Sequence, residues 1–214
     1  MSTSLITPPP IAHGLQSASP WVMRWSHLVK PGGTVLDVAC GHGRHARWFS
    51  ALNHPVVAVD RSQDAIDDVV SALPSSPLLA VEAVLADIEN GPWPFAGRQF
   101  GAVVVTHYLW RPLLPTLLAS LAPGGVLIYE TFTQGHESVG KPSRADFLLR
   151  TGELLALCRE LRVVAFEDGY TAGPDGQSPR FVQRIAAVLE AANAVEPEAS
   201  APPAPVPPPR YGLT

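Results

Sequence analysis

Short apolar runs alternate with amphipathic stretches through the middle of the chain. TVLDVA (34–39) is rich in β-branched residues and too short for a core helix, so it predicts a buried strand. PVVAVD (55–60) predicts a second strand, and others follow near 80–86, near 100–106 and at VLIYET (126–131). Helices fall between them. Ser19 can cap a helix that has Pro20 at its first position and runs through Trp21, Trp25 and Leu28. A helix is predicted over 44–52, and another begins after Ser62, its N-terminal half favoured by Asp64, Asp67 and Asp68 through the helix dipole. One more lies near 113–121, and the turn PGG (123–125) leads from it into the following strand. This alternation implies a parallel sheet with helices on both faces. The pattern then changes. LRVVAFEDGY (161–170) and PRFVQRIAAVLE (179–190) are strand-like, and the turn-rich TAGPDGQS joins them, which predicts a closing antiparallel hairpin.

Both ends lack hydrophobic periodicity. Residues 1–19, with Pro8, Pro9 and Pro10, are expected to be a flexible N-terminal segment, and 20–192 to be the folded domain. Residues 193–214, which include PEASAPPAPVPPPRYGLT from Pro197, are expected to form a disordered, polyproline-like tail. At 214 residues the chain can bury one substantial core. Apolar residues make up 46% and charged residues 16%, the balance of a globular protein. A net charge of −4, with Lys30 and Lys141 as the only lysines, argues against a broad phosphate-binding surface and so against a nucleic-acid partner. Cys40 and Cys158 make no disulfide framework in a chain this long. MSTSLITPPP has no basic leader followed by an apolar run, and no stretch reaches the roughly 20 apolar residues of a membrane span, so a cytoplasmic location without a membrane partner is expected. No Cys/His cluster has metal-ligand spacing, so no metal is expected.

The stretch VLDVACGHGRHARW (35–48) carries the most chemistry. A buried strand ends at Ala39, a glycine turn follows, and a helix opens at once. Gly41 and Gly43 let backbone approach a ligand, and the helix N-terminus offers it free N–H groups. GHGRHA also fits the looser dinucleotide pattern, so the turn alone does not choose a cofactor. Acidic residues at successive strand ends do. Asp37 stands at the end of the first strand. Asp60 ends the second, where a carboxylate can accept from both hydroxyls of a ribose. Asp87, in LADIE, ends the third, where it can accept from an adenine amine. That set suits an adenosyl group without a pyrophosphate.

In this order, DVACGHG, VVAVD, LAD, FGAVVVTHYL and LAPGGVLIYE resemble the class I S-adenosylmethionine-dependent methyltransferases over roughly residues 30–190. The resemblance implies a Rossmann-like, seven-stranded, mostly parallel sheet with helices on both faces and a C-terminal antiparallel hairpin. It implies S-adenosyl-L-methionine as cofactor, with Asp37, Gly41 and Gly43 around its methionine part, Asp60 on the ribose and Asp87 with Ile88 beside the adenine. Ala39, Cys40 and His42 belong to the same turn, and Arg61 and Thr106 complete the expected cofactor contacts. Ala39 stands where the family usually has glycine, and Cys40 suits a small packing residue.

Methyl transfer asks mainly for positioning and dehydration. Groups for it must come from loops at the carboxyl ends of the strands. His107, Tyr108 and Arg111 in THYLWR are the catalytic candidates, with His107 foremost because a near-neutral pKa suits a general base. Arg44 beside His45 on the glycine-motif helix, and His136 and Lys141 on the long loop 131–144, are candidates for contacting a small-molecule acceptor. THYL lacks the Asn- or Asp-Pro-Pro-aromatic sequence common in enzymes that methylate nucleic-acid amines. ACGHGRHARW looks most like the small tellurite-resistance-type methyltransferases, which implies a small acceptor and an anion contact at Arg44 or Arg111. A non-catalytic binding scaffold and a nicotinamide-dependent oxidoreductase are the competing readings.

Overall fold

The structure is a computed structural model that describes residues 16–72, 81–172, 178–191 and 211–212. Seven strands form one sheet: β1 (Val35–Val38), β2 (Val56–Asp60), β3 (Val81–Leu85), β4 (Phe100–Thr106), β5 (Leu121–Phe132), β6 (Arg162–Thr171) and β7 (Arg180–Val188). Their order is β3-β2-β1-β4-β5-β7-β6. The first five are parallel, whereas β7 runs antiparallel to both β5 and β6. The strand order reverses at β1, which pairs with both β2 and β4. Such a switch opens a crevice beyond the carboxyl ends of the strands.

Helices cover both faces, which is why the central strands read as unbroken apolar runs rather than alternating ones. Val35, Val56, Ala58, Val104 and Ile128 face α1 (Pro20–Trp25), α2 (Arg44–Ala51) and α3 (Gln63–Ala72). Leu36, Val38, Val57, Val103 and Leu127 face the opposite layer, with α4 (Leu114–Ala119) and α5 (Glu153–Leu157). The single-turn α5 has no periodic signature long enough to be read from sequence.

Three expectations need correction. The PGG turn does not precede a strand: it lies within β5, which already pairs at Leu121 with Phe100 before the register shifts between Phe100 and Ala102. Gly125 permits this, because a Cβ there would meet the Ala122 and Phe100 carbonyl oxygens at 2.7 and 2.8 Å. The domain also starts before Pro20. Ala18 and Ser19 are buried, and the Ser19 hydroxyl accepts from Trp21 N at 3.2 Å while donating to Glu130 Oε1 at 2.9 Å. At the other end, most of the expected tail lies outside the described residues. Tyr211 nevertheless packs against the core, and the Gly212 carbonyl accepts from His27 Nε2 at 3.0 Å. The middle of TAGPDGQS, residues 173–177, also lies outside the described residues. No helix among the described residues is long and apolar enough to cross a membrane.

Candidate functional site

The glycine turn between β1 and α2 forms one wall of the crevice. Ala39, Gly41 and Gly43 all take left-handed backbone angles, φ 51°, 51° and 72°. Ala39 therefore adopts the conformation that favours glycine, at a cost of roughly 1–2 kcal/mol. Gly43 forms the N-cap of α2, and a Cβ there would sit 2.6 Å from Val69 Cγ2 on α3. Gly41 is different: nothing lies within 4 Å of where its Cβ would be, so bare backbone faces open space.

Asp37 is not in the crevice as expected. It is 1% exposed beneath the turn, and its Oδ2 accepts from Ala46 N at 3.0 Å, capping α2 in place of the absent Gly43 side chain. Burial pushes its carboxyl up to about 8, against the opposing pull of the Ala46 N–H and Arg44. His45 is buried beside it and held uncharged by desolvation, then by Arg44. Asp60 does face the crevice. Its Oδ2 accepts from Gly41 N and its Oδ1 from Ser62 N, both at 2.9 Å, which fixes the carboxylate and the turn together. Asp87 accepts from Glu89 N, Asn90 N and Asn90 Nδ2, and these bonds hold its carboxyl below the usual range.

Three cavities follow the strand ends. The first, about 370 Å³, holds Asp60, Arg61, Asp87 and Ile88 along one side and Tyr108, Phe132 and Phe147 along the other. A second of about 540 Å³ is lined by Cys40, Gly41, His42, Arg44 and Thr106. The third, about 640 Å³, lies between Ser19, Met23, Arg44, Glu130 and Arg180. Ala39 borders the first two, Arg44 the last two, and His107 all three.

His107 is held hard in this position. Its backbone takes φ 54°, and its N–H donates to the Glu130 carbonyl at 2.9 Å. The ring stacks on Phe132 at 5.0 Å, and Phe132 stacks on His136 at 4.2 Å. Surrounding protein withholds water from the imidazole and Arg44 repels a positive charge there, so its pKa lies below the ordinary value. Burial pushes the Tyr108 phenol up, which keeps it protonated and makes it a wall or donor rather than a base. The Cys40 thiol is raised the same way and donates to the Gly41 carbonyl at 3.4 Å. His42 donates from Nδ1 to Asp68 Oδ2 at 2.6 Å.

Three candidates are not brought to these cavities. Arg111 binds Glu153 through two bonds of 2.7 and 2.9 Å and donates to the Asp146 and Leu148 carbonyls, so its guanidinium is consumed as a brace for the loop after β5. His136 is buried behind Phe132 and bonds the Lys141 carbonyl at 3.0 Å. Lys141 is exposed on that loop and lines none of the three cavities. Sequence reasoning missed Glu130 and Arg180. Glu130 ends an apolar run as Asp60 does and could have been found by the same rule. Arg180 carries no such signal. It reaches this edge because β7 is antiparallel, with Val182 opposite Phe132, so the start of β7 lies at the carboxyl ends of the others.

Comparison with known proteins finds methyltransferases. A methyltransferase-domain family matches residues 35–125. Protein-L-isoaspartate O-methyltransferase 2 of Rhodopseudomonas palustris (strain HaA2) is 33% identical over 123 residues, 56% of this chain and 55% of that protein. A second such enzyme, from strain BisB5, is 30% identical over 122 residues, 56% of this chain and 55% of its own. The chain thus spans about half the length of the curated relatives it matches. Among solved structures, TehB from Haemophilus influenzae superposes with a TM-score of 0.66 at 17% identity, covering 82% of this chain and 64% of TehB. The glycopeptide N-methyltransferase MtfA, complexed with S-adenosyl-L-homocysteine, gives 0.54 at 17% identity, covering 78% and 87%. At these identities the likeness is one of fold.

Proposed function

We propose that this chain is a class I S-adenosylmethionine-dependent methyltransferase that transfers the cofactor's methyl group to a small-molecule acceptor held in the third cavity; the methyltransferase-domain match over residues 35–125 supports the methyl-transfer part of the reading. The observation that carries this reading is the convergence of three cavities on His107. The first two suit the cofactor. Asp60 offers a fixed carboxylate to a ribose, and Asp87, Ile88 and Phe147 line the same cavity, which suits a flat base. The unfilled space at Gly41, in the second cavity, suits an amino-acid moiety.

When bound, the cofactor supplies a methyl carbon on a sulfonium, an electrophile whose leaving group departs as a neutral thioether. His107, uncharged at neutral pH, stands where the second cavity meets the third and takes the proton that the acceptor sheds as its lone pair becomes the new bond. Phe132 behind the ring limits its rotation and excludes water.

Thermal shift with S-adenosylmethionine, S-adenosylhomocysteine and NADH tests the reading. The first two should stabilise the protein by RT ln(1 + [L]/Kd), and NADH should not. Formation of S-adenosylhomocysteine in an acceptor screen then separates an enzyme from a binding scaffold. Stabilisation by NADH alone would reject the proposal in favour of an oxidoreductase.

A further inference from the structure

The third cavity carries a charge pattern that methyl transfer by itself does not require. The geometry points to an acceptor that is a small organic acid, its carboxylate docked between Arg44 and Arg180, with Arg180 as the specificity-determining residue. This rests on the assignment of the third cavity to the acceptor.

Arg44 and Arg180 come from distant elements, the first turn of α2 and the start of β7, yet line the same cavity. Neither forms an ion pair among the described residues. Arg44 has only a 3.4 Å contact to Thr106 Oγ1. Burial chiefly disfavours the charge on Arg44; Glu130 and Asp37 favour it and Arg180 opposes it. Against two cations the wall of the cavity holds one acid. Glu130 is 3% exposed, and its oxygens already take the Ser19 hydroxyl at 2.9 Å and Arg184 Nη1 at 3.2 Å.

Two guanidinium groups with spare donors facing one space match a carboxylate, which each can engage in paired hydrogen bonds. The size and the remaining walls decide between a bare ion and an organic acid. About 640 Å³ far exceeds an inorganic oxyanion and falls in the range of organic ligand sites. Ala18, Pro20 and Met23 supply an apolar side against which a carbon skeleton can lie. His107 borders the same cavity, so an acid anchored on the arginines presents its other end to the base.

The test titrates the full chain, with and without saturating S-adenosylhomocysteine, at constant ionic strength. Sodium benzoate, 3-phenylpropionate and succinate are the probes; the matching amides and sodium sulfate are the controls. At least one carboxylate should bind the wild type tenfold or more tightly than its amide. Arg180→Gln should lose that preference and Arg180→Lys should keep part of it, while both keep wild-type affinity for S-adenosylhomocysteine and so are shown to fold. Amides that match every carboxylate, or a preference that survives in Arg180→Gln, would overturn the inference. Binding of sulfate alone would overturn it as well, in favour of an inorganic oxyanion. Failure of S-adenosylhomocysteine to bind would instead reject the cofactor reading, and the carboxylate titration without it would still report on the third cavity.

Discussion

Replacing Asp60 gives the sharpest test of how the cofactor is held. Each of its oxygens already accepts one backbone N–H, from Gly41 and from Ser62, at 2.9 Å. A carboxylate oxygen has two lone-pair sites, so one remains on each for a pair of ribose hydroxyls. Hydrogen bonds to a charged group contribute about 1.5–3 kcal/mol each. Two on one carboxylate share its charge and do not add fully, so Asp60→Ala should lose about 2–4 kcal/mol of binding, roughly 30- to 1,000-fold in Kd. Asp60→Asn refines the argument. Its amide keeps one acceptor oxygen but turns an NH₂ toward one of two backbone N–H groups, so it should rescue little and bind within about tenfold of the alanine variant. Calorimetric titration with S-adenosylhomocysteine reads both, with circular dichroism confirming the fold. Asp60→Ala within threefold of wild type would refute the assignment of this carboxylate to the ribose.

Other variants separate structural from chemical roles. Gly43→Ala meets both the left-handed backbone and Val69 Cγ2, so denaturant unfolding should show a loss of about 2–4 kcal/mol. Arg111→Ala frees Glu153 and two carbonyls, and should lower stability by about 2–4 kcal/mol while changing the affinity for S-adenosylhomocysteine less than tenfold; loss of turnover with unchanged stability would restore it as a catalytic residue. Because the His107 pKa lies below 6.5, the base form prevails at neutral pH, and kcat/KM should fall only as pH drops through that lowered value. His107→Asn should abolish this acidic limb, and a limb that persists would assign the base elsewhere. Asp37, with its folded pKa raised to about 8, has the opposite sign to an ion-paired carboxylate. Its contribution to stability is fully present below the unfolded pKa of 3.8 and is lost as pH rises through about 8, so Asp37→Asn should flatten the decline of Tm between pH 5 and 8.5.

Where local rules decide, the sequence was readable. The strand β1 at 35–38, the α2 start at Arg44, the Ser19 cap and the closing hairpin follow from β-branched runs, glycine placement and turn composition, each satisfied by neighbours in the chain. The strand-end rule put Asp60 and Asp87 at the first cavity. It failed at Asp37 for a geometric reason. Asp37 stands before the last strand residue, so its side chain points under α2 and caps Ala46, whereas Asp60 ends its strand and points out of the sheet edge. The same proximity in sequence misled at Arg111. A cation just after β4 looks available until the fold brings Glu153 and the 146–148 backbone onto it from the far side of the loop.

The third cavity behaves differently because no local signal builds it. Its wall takes Ser19 from the cap of α1, Arg44 from α2, Glu130 from β5 and Arg180 from β7, segments that share only one edge of the sheet. Reversal of β7 is the decisive step. Were the last pair of strands parallel to the rest, the start of β7 would lie at the opposite edge and Arg180 would never meet Arg44. The hairpin that closes the sheet thus also sets the charge of the third cavity. On the proposed reading, a single substitution on β7, at Arg180, should change which acceptor is bound while the glycine turn and Asp60 stay as they are.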